Sequence, residues 1–146
     1  MPDRSPAIYV YACFAAGTLV STPEGFRNIE DLREGDAVYG WDFEQGTVIV
    51  ATITRTHVSV SEEIYTVAVG NSKIEVTSAH PFYVEGEGWV HVRDLEVGGA
   101  LTAMAGGAFG IDSISARNET TTVYNIHVDE VNNYFVSEDE LLVHNK

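Results

Sequence analysis

The chain has 146 residues, with 8 Lys and Arg against 22 Asp and Glu, so its formal charge is −14 and its pI is about 4.5. This length suggests one domain with its own core, and 45% hydrophobic against 21% charged residues argues against a disordered chain. Because nucleic acids and anionic membranes are bound through a surplus of Lys and Arg, the acidic balance argues against both kinds of partner.

Strand-forming residues and glycine-containing turns alternate along the chain. Short helical turns are predicted at 29–32 and 92–95, and no long segment has the 3.6-residue period of a helix. The sequence therefore predicts an all-β fold. The predicted strands are, in chain order, 17–21, 37–42, 48–54, 64–69, 73–77, 82–84, 89–91, 113–116, 122–128, 134–137 and 141–143.

The sequence contains an internal repeat. Residues 25–35 match residues 88–98 at a shift of 63, and residues 64–69 match residues 123–128 at a shift of 59. Both halves thus carry a glycine turn, an aromatic residue, a short helical turn, a second glycine and an alternating strand. Two similar hairpins would also explain part of this match. We prefer one domain built from two related halves with approximate two-fold symmetry.

Cys13 is the only cysteine, which excludes an intramolecular disulfide and a cysteine-based zinc site. A lone cysteine is either a small buried hydrophobe or a nucleophile that a nearby base activates. Thr77 and His80 follow a predicted strand and precede a proline, so a hydroxyl and an imidazole can converge there on a carbonyl or an amide nitrogen. Neither element decides the chemistry alone.

His144 and Asn145 form a third candidate element near the end of the sequence. An asparagine side chain can attack its own backbone carbonyl, form a succinimide and cut the chain after itself. A neighbouring histidine can protonate the departing amine. An ordinary polar segment would carry the same two residues, so this pair is also ambiguous by itself.

Taken in order, four motifs resemble those of Hint domains, the superfamily of inteins, bacterial intein-like domains, polymorphic-toxin Hint domains and the Hedgehog autoprocessing module. The resemblance implies a compact all-β horseshoe with pseudo-two-fold symmetry, in agreement with the internal repeat. It spans residues 13–145, a length that leaves no room for an inserted homing endonuclease. The motifs are CFAAGT (13–18), TSAHPF (77–82), VYNI (123–126) and LVHN (142–145).

The resemblance implies a reaction at the Ala12–Cys13 peptide. The Cys13 thiol would attack the carbonyl of Ala12 in an N-to-S acyl shift that gives a thioester. His80 would protonate the leaving nitrogen, and Thr77 would orient His80 or the scissile peptide.

A second reaction is implied at the other junction. Asn145 would cyclise to a succinimide and release the chain that begins at Lys146, assisted by His144. Asn125 occupies the place where many inteins carry an Asp that promotes both steps. Its side chain is uncharged, so it cannot act as a base, but it can form hydrogen bonds.

Two further departures from the family pattern affect the outcome. Lys146 stands where splicing inteins have Cys, Ser or Thr, so water or another nucleophile would cleave the thioester. Alternatively, the freed α-amine of Lys146 would attack it and splice the flanks by aminolysis. Asn132 stands where a second helper His is common, so we expect slow C-terminal cleavage.

We therefore expect a flanking segment at 1–12, an autoprocessing domain at 13–145 and a downstream flank at 146. The substrate is the chain's own flanking polypeptide, and the domain acts as a monomer without a cofactor, a metal, a nucleic acid or a membrane. The chief alternative is a catalytically inactive β-rich binding or structural module with the same fold. His57, His91 and His127 lack the spacing of metal ligands, and we expect them on the surface. We expect Trp41 and Trp89 to pack in the core or at turns.

Overall fold

The computed structural model describes residues 12–145, which form β-strands and two single 3₁₀ turns, with no α-helix in this range. The 3₁₀ turns are Ile29–Asp31 and Val92–Asp94. No helix in the described range is long and apolar enough to cross a membrane. The all-β prediction is confirmed. The strands are β1 (Phe14–Ala15), β2 (Leu19–Thr22), β3 (Gly25–Asn28), β4 (Ala37–Asp42), β5 (Thr47–Val69), β6 (Ser72–Val76), β7 (Pro81–Val84), β8 (Gly88–His91), β9 (Ala100–Thr102), β10 (Ala108–Val128), β11 (Asn133–Val136) and β12 (Leu141–His144).

Two long antiparallel strands, β5 and β10, form the frame of the molecule. They pair from Val69 opposite Ile111 to Ile53 opposite Val128, with three irregularities in the register. β4 pairs with the first part of β5, and β6 pairs with its last part. The hydrogen-bonded strand order is β3-β2-β11-β12-β7-β9-β10-β1-β6-β5-β4, with β8 on β7.

The sequence pattern predicts shorter strands than the structure contains. The predicted segments 48–54 and 64–69 belong to one strand, as do 113–116 and 122–128. The residues between them are mostly polar and exposed, as expected for a loop, yet the mutual pairing of β5 and β10 keeps them extended. Pairing partners distant in sequence thus override local composition.

The internal repeat is visible in the backbone. The two 3₁₀ turns lie 63 residues apart, and each is followed by a glycine, Gly35 or Gly98, with a φ of 90°. Only glycine adopts this conformation without strain. The matching sequence segments therefore encode matching local structures.

Equivalent hydrogen bonds tie each 3₁₀ turn to the residue directly before the hairpin that precedes the turn, β2–β3 in the first half and β7–β8 in the second. The Ile29 N–H donates to the carbonyl of Thr18 at 2.8 Å, and the Val92 N–H donates to the carbonyl of His80 at 3.0 Å. Thr18 and His80 therefore hold equivalent backbone positions in the two halves. The repeat places His80 at the start of β7, where its side chain points into the core.

The short strand β1 lies where the two halves meet. Phe14 pairs with Tyr124 of β10 on one side and with Val76 of β6 on the other. The residue immediately before β1 is Cys13, so this central position draws Cys13 into the interior.

Candidate active site

The backbone of Cys13 is held on both sides by Thr77. The Cys13 N–H donates to Thr77 Oγ1 at 2.9 Å, and the Thr77 N–H donates to the Cys13 carbonyl at 2.9 Å. The nitrogen of the Ala12–Cys13 peptide is therefore in direct contact with the predicted threonine.

The Cys13 side chain is fully buried, with 0% of its surface exposed. It forms a small hydrophobic cluster with Ile64 and Val123, which are equivalent residues of the internal repeat. Burial in this apolar contact raises the pKa of the Cys13 thiol to about 12, because a thiolate loses its hydration there. At neutral pH the resting form is the thiol.

The imidazole of His80 lies close to this cysteine in the same core. A turn links it to Thr77, whose carbonyl accepts the His80 N–H at 3.4 Å. The ring is fully buried and packs on Phe14, with 4.1 Å between ring centroids. Phe82 and Tyr134 contact it edge-on at 6.2 and 6.5 Å.

Burial is the main cause that lowers the pKa of His80 to about 3, so the ring is neutral at pH 7. Contacts with the backbone of His144 and the backbone of Ala12 act in the opposite direction and raise the pKa. These contacts lie outside normal hydrogen-bond geometry, and neither ring nitrogen has a hydrogen-bond partner among residues 12–145. An imidazole without a hydrogen-bond partner among residues 12–145 therefore faces the backbone of Ala12, at the first predicted junction, and that of His144, the residue before Asn145.

Asn145 is buried and anchored through its backbone and its side chain. Its backbone N–H donates to the carbonyl of Asn132 at 3.0 Å, and its side-chain Nδ2 donates to the carbonyl of Val128 at 3.2 Å. Its own carbonyl accepts a hydrogen bond from Asn125 Nδ2 at 3.1 Å. The side-chain nitrogen and the carbonyl of Asn145, the groups that a cyclisation would join, are thus both held by hydrogen bonds.

Asn132 contributes through its backbone. It has a φ of 57°, a left-handed conformation that asparagine tolerates better than most residues, and its side chain is exposed. The bend directs its carbonyl to the N–H of Asn145. An uncharged residue at this place therefore still positions the C-terminal junction.

Two aromatic residues that the sequence pattern does not mark as site residues contact the site. Tyr134 is fully buried, and its hydroxyl donates to Asn125 Oδ1 at 2.7 Å. Trp89 contacts the ring of His144 edge-on at 5.1 Å between centroids. A buried tyrosine in a strand needs a partner for its hydroxyl, which was the available signal for Tyr134. The sequence predicts a packing role for Trp89, and nothing local distinguishes it from its counterpart Phe26 in the first repeat.

The structure brings the predicted site residues to one region of the fold, around the ends of β1, β6, β7, β10 and β12. The predicted flanks at 1–11 and Lys146 lie outside the described residues. The residues gathered in this region are Cys13, Thr77, His80, Asn125, His144 and Asn145.

The remaining histidines lie on half-buried surfaces. Arg93 Nη2 is 3.0 Å from His91 Nδ1, and Arg55 Nη2 is 3.3 Å from His127 Nε2. Burial and the positive charge of Arg55 lower the pKa of His127. Within residues 12–145 no group of three or more His, Cys, Asp and Glu side chains is placed to hold a metal ion.

Comparisons with known proteins place this geometry in a family. The family described as Pretoxin HINT domain matches residues 19–146. The comparison with curated proteins gives no significant match.

Solved structures share the fold. A bacterial intein-like domain from Clostridium thermocellum is 32% identical, with a TM-score of 0.88 over 91% of this chain and 98% of that one. A DnaB intein from Synechocystis sp. PCC 6803 is 17% identical, with a TM-score of 0.79 over 92% and 99% of the two chains. This second likeness shows the fold alone. The family match over most of the sequence, together with the 32% identity, establishes that the chain belongs to the Hint domain superfamily, as a pretoxin-type Hint domain.

Proposed function

We propose that this Hint domain processes its own polypeptide, cleaving at the Ala12–Cys13 and Asn145–Lys146 peptides. The observation that carries the proposal is the position of His80, a neutral imidazole that faces the backbone of both Ala12 and His144 and has no hydrogen-bond partner among residues 12–145. A buried polar group without partners is costly to the fold, which points to a catalytic role. Membership of the Hint superfamily supports autoprocessing in general.

At the first junction, the Cys13 sulfur attacks the Ala12 carbonyl carbon. A C–S bond forms, the Ala12–Cys13 C–N bond breaks, and the electron pair goes to the Cys13 nitrogen. The neutral His80 ring takes the proton of the thiol and returns it to that nitrogen, so no net proton is required. Thr77 holds the same nitrogen in place through its hydroxyl oxygen.

At the second junction, Asn145 Nδ2 attacks its own backbone carbonyl carbon. The ring closes to a succinimide, and the bond to Lys146 breaks. The side-chain amide gives up one proton and the leaving amine gains one. The His144 ring, held against Trp89, carries that proton.

The fate of the thioester follows from the residue after Asn145. Lys146 offers neither a hydroxyl nor a thiol on a short side chain. The thioester is therefore cleaved by water or an added thiol, or it is attacked by the α-amine of Lys146 once cyclisation has freed it, which splices the flanks. The substrate in each case is the flanking polypeptide of the same, monomeric chain, without a cofactor.

The proposal is tested with the chain fused to a tag on each flank and followed by mass spectrometry over hours, with and without dithiothreitol. We expect thiol-accelerated cleavage at Ala12–Cys13. We also expect release of the downstream tag, which leaves a domain whose mass corresponds to a C-terminal succinimide at Asn145. Absence of both products contradicts the proposal.

A second candidate is a module that keeps the fold without activity. The observation in its favour is the pKa of about 12 for the buried Cys13 thiol, which disfavours the thiolate. Alkylation separates the two candidates. An active site that opens transiently lets iodoacetamide label Cys13 faster than the whole domain unfolds, whereas an inert core cysteine is labelled only at the rate of global unfolding.

A further inference from the structure

The Asn145 carbonyl oxygen is the atom on which negative charge develops in the proposed cyclisation. When the side-chain nitrogen attacks the carbonyl carbon, an electron pair moves to this oxygen and it becomes negatively charged. Donors already directed at that position stabilise the charge without rearrangement. The described contact of this kind comes from Asn125 Nδ2 at 3.1 Å.

The orientation of the Asn125 amide is fixed by its other hydrogen bonds. Its Oδ1 accepts the backbone N–H of Ile126 at 2.9 Å and the hydroxyl of Tyr134 at 2.7 Å. A backbone N–H is always a donor, so Oδ1 must face it. The Nδ2 group is thereby directed to the Asn145 carbonyl. Asn125 is buried, so water does not compete for these positions.

The Tyr134 hydroxyl is itself held as a donor. The phenol is fully buried, and burial is the main cause that keeps its pKa well above the usual value, so it stays protonated. Its ring packs edge-on against Phe14 at 6.3 Å and against His80 at 6.5 Å. These contacts fix the ring, and with it the direction of the hydroxyl group.

We propose that Asn125 is a catalytic residue that stabilises the oxyanion formed during Asn145 cyclisation, and that Tyr134 is the positioning residue that orients it. In this step Nδ2 of Asn145 forms a C–N bond, the carbonyl pair moves to the oxygen opposite Asn125, and the pair returns as the bond to Lys146 breaks. Asn125 gains and loses no proton. An amide donates at this position at any pH, whereas an ionised Asp would place a negative oxygen beside the developing charge.

The inference rests on the proposed function, so both are measured in one precursor. This precursor carries both flanks. Thiol-induced cleavage at Ala12–Cys13 reports on the fold, and release of the downstream tag reports on cyclisation. With Asn125→Leu we expect downstream release to fall about 10²–10³-fold, the effect of losing one oxyanion donor. With Tyr134→Phe, which keeps the ring, we expect a fall of about tenfold.

The matched control is Tyr124→Phe, which removes a hydroxyl from a partly buried tyrosine beside β1. We expect it to leave both reactions unchanged. In the double variant, Tyr134→Phe should add nothing to Asn125→Leu, because its effect passes through Asn125. A merely structural role for Tyr134 would instead slow both junctions and add its effect in the double variant.

The outcomes separate the two claims. If the unmodified precursor never releases its downstream tag, C-terminal autoprocessing fails and this inference fails with it. If the precursor releases the tag and Asn125→Leu releases it at the same rate, the oxyanion role is wrong while the proposed function stands. If Asn125→Leu is slow and Tyr134→Phe is not, the positioning role of Tyr134 is wrong.

Discussion

The two proposed junctions of this domain differ in how their proposed nucleophiles, Cys13 and Asn145, are held. At the first, the nucleophile is intrinsically strong but held in its unreactive form, since burial raises the pKa of the Cys13 thiol to about 12. At the second, the nucleophile is a weak amide, but Asn145 is fixed by hydrogen bonds to its backbone N–H, its carbonyl and its side chain. In the proposed mechanism, the first junction thus depends on proton transfer and the second on positioning.

His80 is the group that the two junctions share. Its ring faces the backbone of Ala12 and of His144, while the contacts that fix the two reacting residues are otherwise separate. Thr77 holds Cys13, whereas Asn125, Val128 and Asn132 hold Asn145. This separation predicts that each reaction survives removal of the other nucleophile.

The largest expected effect is a reciprocal loss of cleavage. Cys13→Ala should abolish cleavage at Ala12–Cys13 and leave C-terminal cleavage partly intact, because no described hydrogen bond to Asn145 involves Cys13. Asn145→Ala should abolish downstream release and leave thiol-induced cleavage at Cys13. Product masses from tagged precursors measure both. Cleavage at both ends of the Cys13→Ala variant would show that the assigned nucleophile is wrong.

The next prediction concerns acid stability and tests the shared residue. The folded pKa of His80 is about 3, against an ordinary value of 6.5. Between these values the unfolded chain binds a proton at this ring and the folded chain does not, so stability falls as the pH is lowered, by up to about 1.4 kcal/mol per pH unit. Above pH 6.5 the contribution is fully present.

His80→Phe isolates this contribution, since it keeps a ring of similar size in the aromatic contact with Phe14 and removes the titrating nitrogens. Urea unfolding between pH 7 and 4 should show a shallower acid loss for the variant, while its cleavage at Ala12–Cys13 disappears. Equal acid slopes for the two proteins would contradict a buried neutral imidazole. A stabilised but inactive variant would indicate that His80 is retained for chemistry.

The sequence was sufficient to predict the all-β fold class and its repeated turns, because these signals are local and repeated. The glycine turns and 3₁₀ turns appear where the 63-residue repeat predicts them, since glycine adopts without strain the positive φ found at Gly35 and Gly98. The continuous pairing of β5 and β10 was not predictable, because exposed polar residues in their middle resemble loops and are kept extended by a partner far along the chain.

The candidate site likewise contains residues that the sequence could identify and residues that it could not. Cys13, His80 and Asn145 carry reactive groups, so the sequence pointed to them directly, although their chemical roles stay a proposal. In the proposed reactions, Tyr134 and Trp89 act by orienting Asn125 and His144 instead. A strand tyrosine or a turn tryptophan has many ordinary uses, and the strand pairing that brings β11 and β12 to β7 decides which group each one meets.

The smallest expected effect tests whether positioning limits the second junction. Trp89 is 36% exposed and contacts His144 edge-on, whereas Phe26, its equivalent in the first repeat, is 47% exposed and lies on the half of the fold without a reacting histidine. Such a ring pair contributes about 0.5–1.5 kcal/mol, so Trp89→Ala should slow downstream release by roughly 2–10-fold. Phe26→Ala, matched in position and exposure, should leave the rate unchanged. Time courses of tag release for the two variants measure the difference, and equal rates would mean that His144 is oriented without Trp89. Thiol-induced cleavage at Cys13 should be the same in both, because the aromatic contact touches only the junction that depends on positioning.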